Sequence, residues 1–123
     1  DFHASFAAMT RQPLAPDEAP DSIDVLDALL GRSATGRDEI VVEGTQARTV
    51  LRQGNWTYIP PHEGPAINPH THSELGNAPE DQLYDLSQDI GQIRNIAAEN
   101  PDSVRTMSAR LDEVLKSDRT RPA

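Results

Sequence analysis

Gly54-Asn55 stands between two short β-rich runs, Arg48-Thr49-Val50-Leu51-Arg52 and Trp56-Thr57-Tyr58-Ile59, and this pattern constrains the fold more than any other. Both turn residues tolerate positive φ, so the pair reads as a tight hairpin joining antiparallel strands. Alternation puts Trp56 and Tyr58 on one face and Thr57 and Ile59 on the other. Pro60-Pro61 ends the second strand, because proline has no N–H to give to a ladder. Ile40-Val41-Val42 upstream and Leu83-Tyr84-Asp85-Leu86 downstream add two more short runs. Consecutive strands of this kind predict a four-stranded antiparallel sheet.

Helices are predicted at both ends. Phe2, Phe6 and Met9 fall on one face of a short helix over 2–9, with Asp1 as its cap. That helix is too short to stand alone and calls for a neighbour to pack on. A proline-rich acidic connector follows, Pro13-Leu14-Ala15-Pro16-Asp17-Glu18-Ala19-Pro20-Asp21. Asp21 and Ser22 are placed to cap a second helix over 23–30, stopped by Gly31. Residues 62–79, rich in Pro, Gly, His and Asn, read as one long loop. After Leu86 the chain turns and starts another helix. Asn100-Pro101 opens the last helix, cap followed by a first-turn proline. Its stripe of Val104, Met107, Leu111, Val114 and Leu115 suits the covering of a sheet face. The tail from Ser117 is polar and reads as frayed. The fold class is therefore α+β: a small four-stranded antiparallel sheet packed against a C-terminal helix, with a short N-terminal helical segment. No internal repeat is present.

Size and composition narrow the function. One hundred and twenty-three residues suffice for one small domain, yet only 36% are hydrophobic and 4% aromatic. Typical globular chains are about 45–50% apolar. Ten prolines and seven glycines imply much loop, and so poor a core points to a segment that shares burial with a neighbour. A net charge of −9 with no cluster of Lys and Arg excludes a nucleic-acid or anionic-membrane partner. With no cysteine there is neither a disulfide framework nor thiol chemistry. No apolar run approaches the ~18 residues of a membrane helix. No signal peptide is legible, as expected of a segment from within a longer protein.

Candidates for chemistry are few. His70-Thr71-His72, with His62 and Glu74 nearby, is the only grouping of possible metal ligands in the sequence. It lacks cysteines and a helical i, i+4 histidine pair, so a polar surface loop is the preferred reading. The many carboxylates read as solvated groups or caps. Asp85 differs, because a carboxylate inside an apolar strand needs a donor. No serine has the glycine framing of a nucleophile elbow, and Gly31, Gly36 and Gly44 form no phosphate loop. Trp56 beside Tyr58 could stack on a sugar, but strand aromatics in a small sheet more often build the core.

Four segments, in order, resemble bacterial sulfatases. Leu83-Tyr84-Asp85-Leu86, with Asp89, Gln92 and Asn95-Ile96-Ala97 after it, is similar to the family's closing signature of Leu-Tyr-Asp-Leu, an Asp, an acidic residue and Asn-Leu-Ala. Asp1-Phe2-His3-Ala4-Ser5 resembles its Asp-Leu-x-Ala/Pro-Thr segment, with Ser5 in the threonine position. Asp21-Ser22 and Leu29-Leu30-Gly31 look like its stretch of Asp-Ser, an apolar pair and Leu-Leu-Gly. Leu51-Arg52-Gln53-Gly54-Asn55-Trp56-Thr57-Tyr58-Ile59 resembles its Leu-Arg, Gly-x-Trp-Lys-Tyr-Ile hairpin. Thr57, Ile90 and Gln92 depart from the family's usual Lys, Pro and Glu.

The resemblance, over Asp1 to about Leu115, implies the C-terminal subdomain of a sulfatase (an arylsulfatase-like member of the alkaline-phosphatase superfamily). Residues 1–36 would end the large catalytic domain and form the linker, and 37–123 the subdomain. The full-length enzyme is expected to hydrolyse sulfate esters of a carbohydrate or aryl compound, using calcium and a formylglycine. That group is made within a Cys/Ser-x-Pro/Ala-x-Arg motif, which this sequence lacks, so no catalytic or metal-binding residue carries over. The chain alone would be inactive, with the missing catalytic domain as its partner and the periplasm or exterior as its location. The 62–79 loop, through His62, His70 and His72, is the candidate wall of the substrate pocket. An independent carbohydrate- or metal-binding module is the alternative, and a protein-interaction domain a third. The first reading predicts a bare apolar face at Phe2, Phe6 and Met9.

Overall fold

The computed structural model describes residues 1–44, 48–117 and 119–121. The chain divides into two compact units, Asp1–Ile40 with Asp112–Ala123, and Val41–Leu111.

The second unit carries most of a four-stranded sheet with order β1-β2-β3-β4, comprising Glu39–Glu43, Thr49–Gln53, Trp56–Ile59 and Gln82–Asp85. β2 and β3 pair antiparallel through the Gly54-Asn55 turn, with Leu51 opposite Tyr58. β3 and β4 pair antiparallel, with Tyr58 opposite Leu83. Leu51, Tyr58 and Leu83 therefore form one row across three strands, at 0%, 2% and 0% exposure. Met107 and Leu111 of the last helix, α3 (Pro101–Ser117), cover that row, together with Ala97. Val41, Trp56, Ile96 and Val104 pack around it. The predicted α+β arrangement is thus the observed one. Leu115 leaves the predicted stripe and is half exposed.

Polar side chains finish what the small apolar core begins. β4 is an outer strand, and an unpaired edge must be satisfied or blunted. Asn95 does this. Its Oδ1 accepts the N–H of Leu83 (3.0 Å) and of Ala97 (3.0 Å), and its Nδ2 donates to the Asp81 carbonyl (3.0 Å). The Ile96 N–H then bonds the Leu83 carbonyl at 2.9 Å. Between the strand and Asn95 the chain makes two carboxylate-tied turns. The Asp85 Oδ1 accepts both N–H and Oγ–H of Ser87, the donor its position demanded. The Asp89 Oδ2 accepts the N–H groups of Ile93 and Arg94. A short 3-10 helix, Ala97–Glu99, precedes α3, where the sequence reading put a helix start directly after the turn. Asn100 donates from its Nδ2 to the Ile96 carbonyl.

The first unit is held by hydroxyl and carboxylate ties. Its first helix, α1, spans Phe2–Thr10. Asp1 occupies the cap position, but its carboxylate is spent elsewhere, accepting the Ile23 N–H (3.0 Å) and Arg37 Nη1 (2.8 Å). Ser22, read as a helix cap, instead accepts the Ala4 N–H at 2.9 Å, and fully buried Ser5 accepts the Val25 N–H at 2.9 Å. With the amides of Ile23 and Val25 so engaged, the predicted 23–30 helix shrinks to α2, Leu26–Leu29. Gly31 ends it at φ +69°. Arg37 also donates to the carbonyls of Glu39 (2.6 Å) and Asp21 (3.0 Å) and to Thr120 Oγ1 (2.6 Å). The tail is not loose where it is described: Arg119 and Arg121 donate to the Pro16 carbonyl. Residues 118, 122 and 123 lie outside the described residues.

The edge tie gives a direct prediction. Asn95→Ala strands the N–H of fully buried Leu83, which should cost about 1–3 kcal/mol. Urea unfolding of the chain should show a lower midpoint, with faster hydrogen exchange at the Leu83 amide. Asn95→Asp keeps the acceptor and should recover most of the loss. An unchanged midpoint for the alanine variant would remove Asn95 from this role.

Candidate functional site

Residues 62–79 fold into a hairpin-like excursion rather than an irregular loop. The His62 N–H bonds the Ala78 carbonyl (2.7 Å), Leu75 bonds Ala66 (2.8 Å) and Asn68 bonds Ser73 (2.8 Å). Ile67 and Glu74 form an antiparallel bridge between them. At the tip, the Asn68 Oδ1 accepts the N–H of His70 (2.9 Å) and Thr71 (3.2 Å), and His72 takes φ 55°. Asparagine favours such turns because its short amide replaces a backbone acceptor.

The root of the hairpin is anchored on the sheet face opposite the α3 core. Buried Asn77 donates to the Pro65 carbonyl (2.8 Å) and accepts from Arg48 Nη1. Buried Gln82 donates to the Gly76 carbonyl (2.9 Å) and accepts from the Tyr84 hydroxyl (2.8 Å). Gly64 has φ +124°, and a Cβ there would lie 3.1 Å from the Asn77 Nδ2, so both conformation and space demand glycine.

This arrangement separates the three histidines proposed to touch substrate. His70 and His72 stand exposed at the tip, whereas His62 sits half-buried at the root. Among the described residues no three His, Asp or Glu side chains are gathered to hold a metal ion. His62 lines a cavity of about 250 Å³ with Arg48, Val50, Ile59, Glu74 and Leu75. The sequence reading singled out His62 and Glu74 but missed the other four. Their only signal was position: Val50 and Ile59 alternate away from the core face, and Leu75 interrupts a polar stretch. Tyr58 is 2% exposed and donates to Asp81 Oδ1 at 2.7 Å. Its ring is core and cannot pair with Trp56 as a sugar platform. A larger groove of about 590 Å³ runs past Asp81, Asn95, Val104 and Arg105, where Asn95 and the Asp81 carbonyl are already committed to the edge ties of β4.

The hairpin also brings acid to the sheet. Burial, with added repulsion from Glu74 and Asp89, raises the Tyr84 phenol above its usual ionisation range.

The architecture is similar to part of solved sulfatase structures. A 2-O GAG sulfatase structure matches at TM-score 0.66 and 16% identity, covering 96% of this chain and 24% of its own; it shows the fold alone. A Bacteroides thetaiotaomicron structure connected with the metabolism of multiple glycosaminoglycans matches at TM-score 0.87 and 43% identity, covering 93% of this chain and 24% of its own. The N-acetylgalactosamine-6-O-sulfatase of Bacteroides thetaiotaomicron is 43% identical over 114 residues. That match takes in 93% of this chain, and the chain spans about 22% of that relative's length. No family model matches. Over most of its length the chain is therefore similar to part of a sulfatase.

Tyr84 supplies a pH prediction. Because the folded phenol ionises above its unfolded value, its contribution to stability is complete below about pH 10 and is lost as pH rises through the folded value. Unfolding midpoints across the alkaline range should fall with this slope. Tyr84→Phe should flatten it while weakening the Gln82 contact; an unaltered slope would assign the loss to other groups.

Proposed function

We propose that this chain is the C-terminal subdomain of an exported sulfatase, with 1–36 as the end of the catalytic domain and 37–123 as the subdomain. The whole protein hydrolyses sulfate esters of an amino sugar such as 6-O-sulfated N-acetylgalactosamine. The observation that carries this reading is the 43% identity to an N-acetylgalactosamine-6-O-sulfatase along nearly the entire chain. Export, to the periplasm or beyond, is supported by the family resemblance alone.

In this reading the segment is architectural. Its sequence lacks the Cys/Ser-x-Pro/Ala-x-Arg motif, and its described residues gather no acidic ligand set. Calcium and formylglycine chemistry therefore belongs to the rest of the protein, and no step of it is assigned here. The chain's own contribution is the hairpin 62–79, a rigid-rooted projection whose tip presents His70 and His72 to a sugar. Loops on a firm scaffold are where specificity is commonly placed. Phe2, Phe6 and Met9 support the catalytic domain as partner. All three are more than half exposed on one short helix, with the two ring centroids 5.7 Å apart and the planes tilted by 32°. An independent ligand-binding module has less support, since the Trp56–Tyr58 platform is lost to the core.

Three measurements test the proposal, all of them on the full-length protein. Sulfate release from 6-O-sulfated N-acetylgalactosamine is the expected activity, and its absence across sulfated sugars would end the reading. Replacing His70 and His72 together by alanine should lower kcat/KM roughly ten-fold or more, in line with lost polar contacts. Unchanged turnover on every substrate would remove the hairpin tip from the pocket. Phe6→Asp should also lower the thermal midpoint of the whole enzyme more than that of the isolated chain, because in the isolated chain Phe6 already faces water.

A further inference from the structure

We infer that the cavity at the hairpin root is an acetamido pocket: it takes the N-acetyl group of an amino sugar and not its sulfate. The inference rests on the sulfatase reading above and names the substrate feature this part of the protein selects.

The argument is chemical complementarity. The cavity of about 250 Å³ is lined by three aliphatic side chains, Val50, Ile59 and Leu75, and by Arg48, His62 and Glu74. A sulfate would meet a mainly apolar floor and the Glu74 carboxylate, which repels it, while the Arg48 guanidinium is turned to Asn77 and the Glu63 carbonyl. A bare hydroxyl would leave the aliphatic floor without a partner. An acetamido group matches each part. Its methyl buries against Val50, Ile59 and Leu75. Its carbonyl accepts from a donor such as the His62 imidazole, and its N–H donates to Glu74. The volume suits a small substituent and not a second sugar ring, since whole-ligand pockets run from about 300 to 1,000 Å³.

The walls are also fixed in place. His62 is held through its N–H to Ala78, Glu74 through the bridge to Ile67, and Leu75 through its N–H to Ala66. Buried Asn77 and Gln82 lock the hairpin root on the sheet. A pocket built in this way discriminates through unfilled volume and unpaired polar groups when the substituent is missing.

The test uses the full-length enzyme and two substrates, 6-O-sulfated N-acetylgalactosamine and 6-O-sulfated galactose. The wild type should prefer the N-acetylated sugar in kcat/KM. Leu75→Phe, which fills the cavity, and Glu74→Ala, which removes the exposed acceptor, should each cut that preference at least ten-fold. Equal losses on both substrates, or an undiminished preference, would overturn the inference. A sulfate-free arm separates it from the sulfatase reading: binding of methyl N-acetylgalactosaminide and methyl galactoside followed by NMR. If the protein hydrolyses no sulfate ester yet binds the N-acetyl sugar in a Leu75-dependent way, the pocket stands and the sulfatase reading falls. If it hydrolyses both sulfated sugars without regard to the acetamido group, the reverse holds.

Discussion

The row of Leu51, Tyr58 and Leu83 beneath Met107 and Leu111 is the one apolar contact that organises the Val41–Leu111 unit. It joins three strands to one helix with very few side chains. A chain only 36% hydrophobic has little else to bury. Burial at about 25 cal/mol per Å² cannot by itself offset the ordering of so many loop residues. The remaining order comes from polar side chains, each satisfying backbone groups that would otherwise be stranded. Asn95 on the β4 edge, Asn77 and Gln82 under the hairpin, and Ser5 and Ser22 behind α1 are all of this kind. A net hydrogen bond contributes only about 1 kcal/mol, but losing the partner of a buried N–H costs more than making it gained. Such ties therefore select a geometry more than they add stability.

This division explains what could be read from the sequence. Strands were legible because alternation and turn chemistry are local: Gly54-Asn55 and Pro60-Pro61 bracket β3 without reference to anything distant. The last helix was legible for the same reason, from Pro101 and a period near four. The failures are all long-range. Ser22 has the composition of a cap, and only its pairing with the Ala4 amide, eighteen residues away, shows otherwise. The 23–30 helix was lost because Asp1 and Ser5 claim its first amides from across the unit. The 62–79 hairpin was hidden by prolines and glycines that resemble plain loop. Its register is set by Asn68 and by Asn77, a residue whose burial no local pattern announces.

The candidate site divides in the same way. His62, His70 and His72 were visible as unusual residues in a polar stretch. That the first lies at the root and the others at the tip follows from hairpin register alone. The aliphatic side chains of Val50, Ile59 and Leu75 form the wall of a cavity only because the hairpin folds against the outer sheet face. Apolar residues at alternate strand positions otherwise read as ordinary packing.

The residues that carry the family resemblance have a common physical task. Asp1, Ser5, Asp21, Ser22, Asp85, Asp89 and Asn95 are seven of the polar residues in the quoted segments. Each places a side-chain oxygen on a backbone N–H. A group committed in this way has its lone pairs directed and its rotamer fixed, which suits positioning and not proton transfer. The same signature that identifies the family is therefore uninformative about its chemistry. In the proposed reading, specificity resides in side chains that make no such tie, such as His70 and His72 at the exposed hairpin tip. Substitutions at that tip leave the edge of β4 and the serine ties behind α1 untouched, because neither histidine takes part in them.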